Sequence, residues 1–164
     1  MATTIAASTL MVSIIEKVTI NGKSKGDSTS LSMSNIREVM KRTVKASTTE
    51  TNLLYFPSNL AALGSVPSLC GAFDSAKVKY IRITNKDDTN HIMLTCVDED
   101  NTEFRIKVDA GHSFLYPGDN SGGVVDTMKA KDGALASGLA DLYLITVDAD
   151  TDICDVEVYI AVSS

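Results

Sequence analysis

The chain has 164 residues and carries 15 Lys and Arg against 21 Asp and Glu, a formal net charge of −6. A nucleic-acid-binding surface needs clustered cations to displace phosphate counterions, and the one basic group, Lys41, Arg42 and Lys45, is too small to supply them. An apolar fraction of 44% and a charged fraction of 22% are those of an ordinary folded domain, and one domain is the expectation for this length.

The first fifteen residues, MATTIAASTLMVSII, lack the positive start and compact apolar centre of a secretion signal. Residues 10–20 are apolar and β-branched and end at Asn21-Gly22, the strongest short hairpin signal. We read 1–20 as an N-terminal β-arm and first strand, and 21–164 as a single β domain. The polar KSKGDSTS turns the chain toward a short strand at 29–33. One short α-helix is expected near 34–45: Ser34 or Asn35 can cap it, Glu38 lies three residues after Asn35, and Ile36, Val39, Met40 and Val44 fall on one face. A strand at 50–56 opens an uncharged run, 51–73, long enough to span a bilayer. It holds Pro57, Pro67, two Asn and several Ser and Gly, so no membrane role is expected. It reads as a buried or interface-covered connector.

From residue 77 short strands follow one another across acidic turns. KVKYIRIT precedes the turn NKDDTN, and HIMLTCV precedes DEDN. TEFRIKV alternates strictly, with Phe104, Ile106 and Val108 opposite Glu103, Arg105, Lys107 and Asp109. HSFLY, the broad loop PGDNSGG, an irregular stretch at 124–138 and LADLYLITV come next. The last strand turns Cys154, Val156, Val158, Ile160 and Val162 to one side and Asp155, Glu157, Tyr159 and Ala161 to the other. Strands every 8 to 12 residues with turn chemistry between them imply a mainly β fold, an antiparallel sandwich of jelly-roll type.

Several stretches resemble sites and fail on spacing. Asp148, Asp150 and Asp152 begin like an EF-hand loop, but position 6 is Ile153 and position 12 is Tyr159, where Gly and Glu are needed. Counted from Asp98, DEDN fails at Glu103 and Asp109 in the same way. Both read as turns, the first closing a tight hairpin before the last strand, with a structural cation as the minor alternative. Gly22 to Gly26 spells Gly-x-Ser-x-Gly without the strand, helix and later triad partners of a nucleophile elbow. PGDNSGG lacks the Lys-Ser/Thr ending and following helix of a phosphate loop. His91 and His112 each open a strand; only if those strands pair could the imidazoles meet. Carboxylates are numerous, but with no Trp and nine Phe and Tyr there is little to stack on a sugar. Cys70, Cys96 and Cys154 are odd in number and far apart, with no disulfide framework or zinc knuckle implied. Cys96 and Cys154 sit among apolar residues in strand-like runs, where a free thiol behaves as a small hydrophobe. No catalytic, cofactor-binding or metal-ligating residue is assigned.

Residues 78–128 resemble a pattern found in small virion proteins of tailed bacteriophages. In it a YIRITN strand (Tyr80 to Asn85), a polar hairpin (Asp87 to Asn90) and a Gly-x-Ser-Phe strand (Ala110 to Phe114) occur in order. The resemblance implies a non-enzymatic β-sandwich in a virion assembled in the host cytoplasm. Its expected role is capsid decoration or cement, bound to the major capsid protein as a homo-oligomer, a trimer among the options. A neck, tail or head-fibre component, or a receptor- or glycan-binding module, is the alternative.

Overall fold

A computed structural model describes residues 6–58, 60, 66–117, 123–129 and 139–163. These residues form eleven strands and no α-helix. They are β1 (Ser8–Ile15), β2 (Thr19–Ile20), β3 (Lys23–Ser24), β4 (Ser28–Ala46), β5 (Thr51–Tyr55) and β6 (Val78–Asn85). Then come β7 (Ile92–Asp98), β8 (Glu103–Val108), β9 (Ser113–Pro117), β10 (Leu142–Ala149) and β11 (Cys154–Ser163). All the strand pairings are antiparallel. A five-stranded sheet runs β1-β4-β11-β6-β9, a four-stranded sheet runs β5-β10-β7-β8, and β2 and β3 pair alone.

The expected helix at 34–45 is instead the second half of β4, a strand of 19 residues. Its apolar positions explain the confusion. Ile36, Met40 and Val44 recur every four residues, a spacing that satisfies the helical period of 3.6 and also the strand period of 2. What decides between them is the partner. β11 pairs with β4 from Cys154↔Ala46 through Val162↔Glu38, so the backbone groups of this stretch are bonded across strands. Asn35, taken as a helix cap, has φ 62° and sits where the register of β4 slips against β1, a bulge. The register against β11 slips two residues on, between Ile36 and Glu38. The bulge places Met33 and Ile36, three residues apart, both in buried positions.

One core draws on both sheets. Val44, Ile81, Ile83, Val156, Val158 and Ile160 come from the larger, and Leu53, Leu94, Cys96, Ile145 and Val147 from the smaller. Most are fully buried, and each such aliphatic side chain contributes about 1.5–3 kcal/mol relative to exposure. The alternation read in the last strand is observed: Cys154, Val156, Val158, Ile160 and Val162 face this core. The charged and apolar faces of β8 separate more weakly. Val108 is buried and Ile106 half-buried, but Phe104 is 41% exposed because β8 is an edge.

The uncharged run 51–73 begins as β5, and its described end returns over the same strand. The amides of Leu69 and Cys70 donate to Asn52 and Leu53 carbonyls at 2.9 and 3.0 Å, and Phe73 donates to Tyr55 at 2.9 Å. Cys70 and Phe73 are buried, so these parts of the connector are covered within the chain. No helix of the described residues is long and apolar enough to cross a membrane. The loop PGDNSGG and the stretch 124–138 fall largely outside the described residues.

Several turns read as hairpins are crossovers. β6 and β7 lie in different sheets, as do β10 and β11, so Asp87 to Asn90 and Asp150 to Ile153 carry the chain from one sheet to the other. β7 and β8, joined through Asp98 to Thr102, do form the simple hairpin expected there.

Candidate functional site

The crossovers gather around Asn85, which is fully buried. Its side-chain amide donates to the carbonyls of Asn90 at 2.8 Å and Val108 at 3.2 Å, and its oxygen accepts the Asp87 amide at 3.0 Å. Its backbone takes bonds from Gly111 and gives one to His112. A buried amide with its donors and acceptor satisfied fixes the chain locally. Sequence reading passed over Asn85; the available signal was an Asn ending an apolar strand before a polar turn.

The aspartates that open like a calcium loop are drawn to three different partners. Asp148 receives a hydrogen bond from Arg105 of β8. Asp150 lies 3.5 Å from His91 Nδ1. Asp152 accepts the amide of Ile153 at 2.7 Å. His112 Nδ1 is 2.8 Å from the Ala110 carbonyl. The strands that follow the two histidines belong to different sheets and do not pair. In the DEDN turn, Asp98 Oδ1 accepts amides of Asp100 and Thr102 at 3.0 and 2.7 Å. Its other oxygen is buried without a hydrogen-bond partner among the described residues. Among those residues no group of three or more His, Cys, Asp or Glu is placed to hold a metal.

The other motifs resolve as plainly. Asn21 and Gly22 have φ of 52° and 74°, the primed turn that a two-residue hairpin demands. Ser24 therefore enters β3, with no helix after it. The three cysteines are free and buried. Burial pushes the Cys70 thiol up to about 11 and Cys96 to about 12. Burial also raises Cys154, together with the negative charges of Asp87, Asp152, Asp155 and Asp150. The thiols stay protonated and behave as apolar groups. Of the basic cluster, Lys41 is 3.1 Å from Glu157 and Lys45 is 2.9 Å from Asp155, so two of its three cations each face a carboxylate of β11.

The exposed feature of the molecule is a ribbon built from the N-terminal third. β1 pairs with the first part of β4, from Ser8↔Ile36 to Ile15↔Ser28. The ribbon continues through Glu16 N to Asp27 O at 2.8 Å and Lys25 N to Val18 O at 2.9 Å, then β2 and β3, and closes at Asn21-Gly22. Gly26 has a reason to be Gly: a Cβ there would lie 1.9 Å from the Glu16 carbonyl oxygen. From Ser13 to Ser32 every residue except Gly26 is exposed. Apolar side chains face solvent along it, with Met11 at 69%, Ile15 at 62%, Ile20 at 54% and Ile14 at 50%.

At its base the ribbon folds onto the outer face of the five-stranded sheet. Leu10 and Val12 pack there with Met33, Ile36, Tyr80 and Tyr159. The sheet is curled, so its two edge strands, β1 and β9, line one cleft of about 450 Å³. Tyr80, Arg82 and Tyr159 lie along it between those edges. Arg82 Nη2 donates to Glu157 at 2.7 Å and stands 5.7 Å from the Tyr159 ring centroid, whose ring meets Tyr80 edge-on at 6.0 Å. The guanidinium is thus held by a carboxylate and an aromatic face. Searches against family models, curated proteins and solved structures find no match for this chain.

Proposed function

We propose that this chain is a non-enzymatic structural protein of a tailed-bacteriophage virion, acting as a capsid decoration or cement protein bound to the major capsid lattice. In this reading the two sheets face each other as a jelly-roll-like β-sandwich, the body that carries the ribbon. Self-association into a homo-oligomer belongs to the same reading.

One observation carries it: a projecting two-stranded ribbon whose apolar side chains face solvent. A two-stranded ribbon is at best marginally stable alone in water, and a contiguous exposed apolar surface marks a protein contact. Met11, Ile14, Ile15, Val18 and Ile20 are exposed apolar side chains of this one ribbon. The strand order from Tyr80 to Phe114 that resembles small virion proteins adds the setting. The side chains that could resemble catalytic groups, Asp148, Asp150, His91 and His112, are engaged with neighbours of their own chain.

Electron microscopy of particles with and without the protein tests this directly. Additional density on the head lattice is expected where the protein is present. Density confined to the tail or neck would replace decoration by the neck, tail or fibre role, and no density on any particle would reject a virion role.

A further inference from the structure

We infer that the cavity at the β7–β8 end of the four-stranded sheet is a binding site for a primary alkylammonium group, received by Asp98. The inference goes beyond the virion reading and does not depend on it.

Alternation along β7 sets Asp98 on the core face that Leu94 and Cys96 share. Cys96 stands opposite Phe104 of β8, which puts Phe104 on that face too. The segment 124–129 crosses the same end of the sheet. It is tied there by Thr127 N to Ala140 O at 2.9 Å and by Asp126 N to Asp141 Oδ1 at 2.9 Å. Between strands and segment lies a cavity of about 360 Å³ whose wall includes Asp98, Thr102, Phe104, Thr127, Met128 and Lys129. Asp98 is only 1% exposed. Its Oδ1 accepts two backbone amides, whereas Oδ2 is buried with no hydrogen-bond partner among the described residues. Buried carboxylate oxygens are normally paired, because an unmet acceptor keeps its desolvation cost and recovers nothing.

The group that satisfies this oxygen is a donor, and its surroundings select a cationic one. Segments 98–104, 124–129 and 139–143 carry Asp98, Glu99, Asp100, Glu103, Asp126 and Asp141 against Lys129 alone, a field that attracts cations. The wall then chooses among cations. Among the described residues no group of three or more His, Cys, Asp or Glu is placed to hold a metal. A guanidinium recognises a carboxylate through both oxygens, and Asp98 has one to offer. An ammonium is a compact charge that needs only one. Phe104 supplies an aromatic ring for cation–π attraction, and Met128 an apolar wall for the methylene stem. Met128 is half-buried and Lys129 exposed; both are unbranched chains that can rotate to admit that stem.

Titration of the full chain with n-butylammonium chloride, followed by amide chemical shifts in NMR spectra, tests this. Saturable shifts are expected at Asp98, Thr102, Phe104 and Met128. n-Butanol, similar in shape but without the charge, should produce none, a comparison that needs no variant. n-Butylguanidinium should bind several-fold more weakly. Asp98→Asn keeps an oxygen for the two amides, so the turn should persist, but it sets donors against the ammonium. Binding should then fall about tenfold or more. Phe104→Leu, at a partly exposed site, should fold and weaken binding about two- to fivefold. Absence of saturable shifts, equal binding of n-butanol, or unchanged affinity in Asp98→Asn would each overturn the inference. So would binding that appears only in Lys129→Met, since the chain's own Lys129 would then be the occupant. An acetylated, amidated Gly-Lys-Gly peptide separates the sources of the ammonium. Tighter binding than n-butylammonium supports a lysine of a partner protein, and equal or weaker binding supports a free amine.

Discussion

Strands β11 and β1 are both rich in aliphatic residues, and the molecule treats them oppositely. β11 is the central strand of the five-stranded sheet, paired with β4 on one side and β6 on the other. Val156, Val158 and Ile160 in it are fully buried. β1 has β4 alone, and Met11, Ile14 and Ile15 stand in solvent. Apolar content therefore does not decide burial here; the number of layers and neighbours around a strand does. β11 completes its contacts within the sheet, whereas β1 leaves apolar side chains and one backbone edge exposed.

Substitutions in the two regions should separate the folding core from the exposed ribbon. Ile160→Ala opens a cavity in the shared core and should cost about 2–5 kcal/mol in urea unfolding. Met11→Ala should change the stability of the isolated chain by no more than about 0.5 kcal/mol, as for a surface site. An equal loss for both would mean the ribbon is part of the folding core and would break the contrast.

Asn85→Ala comes next in size. It strips hydrogen bonds from the Val108 and Asn90 carbonyls and the Asp87 amide, of which only the Val108 bond is fully buried, so the loss should be about 1–3 kcal/mol. Denaturant unfolding should show that loss, and hydrogen exchange should quicken in the 86–91 and 109–112 crossovers ahead of the ribbon. Gly26→Ala should do the reverse. Its Cβ collides with the Glu16 carbonyl, so exchange at the Glu16 and Lys25 amides should accelerate while the melting temperature of the body moves little. A large drop in that temperature would show that the ribbon and body unfold as one unit.

The smallest expected effect is at acid pH. Backbone amides of Asn90 and Thr89 donate to Asp87 and hold its carboxyl below the ordinary value of 3.8. A depressed native value means that the ionised form stabilises the fold. The contribution is complete above the unfolded value and disappears as pH falls through the native one. Asp87→Asn should lose part of that acid sensitivity, so its melting temperature relative to the parent should rise on going from neutral pH to about pH 3. An unchanged difference would remove Asp87 from the pH-sensitive end of the molecule.

Much of this was legible where the signal is local. The alternation of Cys154 to Val162, the Asn21-Gly22 turn and the burial of the Cys96 and Cys154 thiols each follow from neighbouring residues and intrinsic geometry. Sequence also marked residues 1–20 as an apolar N-terminal arm free of Pro and Gly. It did not show that the arm's partner is the beginning of β4, or that the ribbon extends through residue 36. Non-local pairing decided what local pattern left open. Ile36, Met40 and Val44 suit a helix as well as a strand until β11 offers ten paired positions. The turns at Asp87 to Asn90 and Asp150 to Ile153 suit a hairpin as well as a crossover until their strands are distributed between two sheets. Period and turn chemistry are properties of a few adjacent residues, so the chain alone determined a β protein. Edges, crossovers and the cleft between β1 and β9 depend on which distant strands meet, and only the tertiary structure determined those.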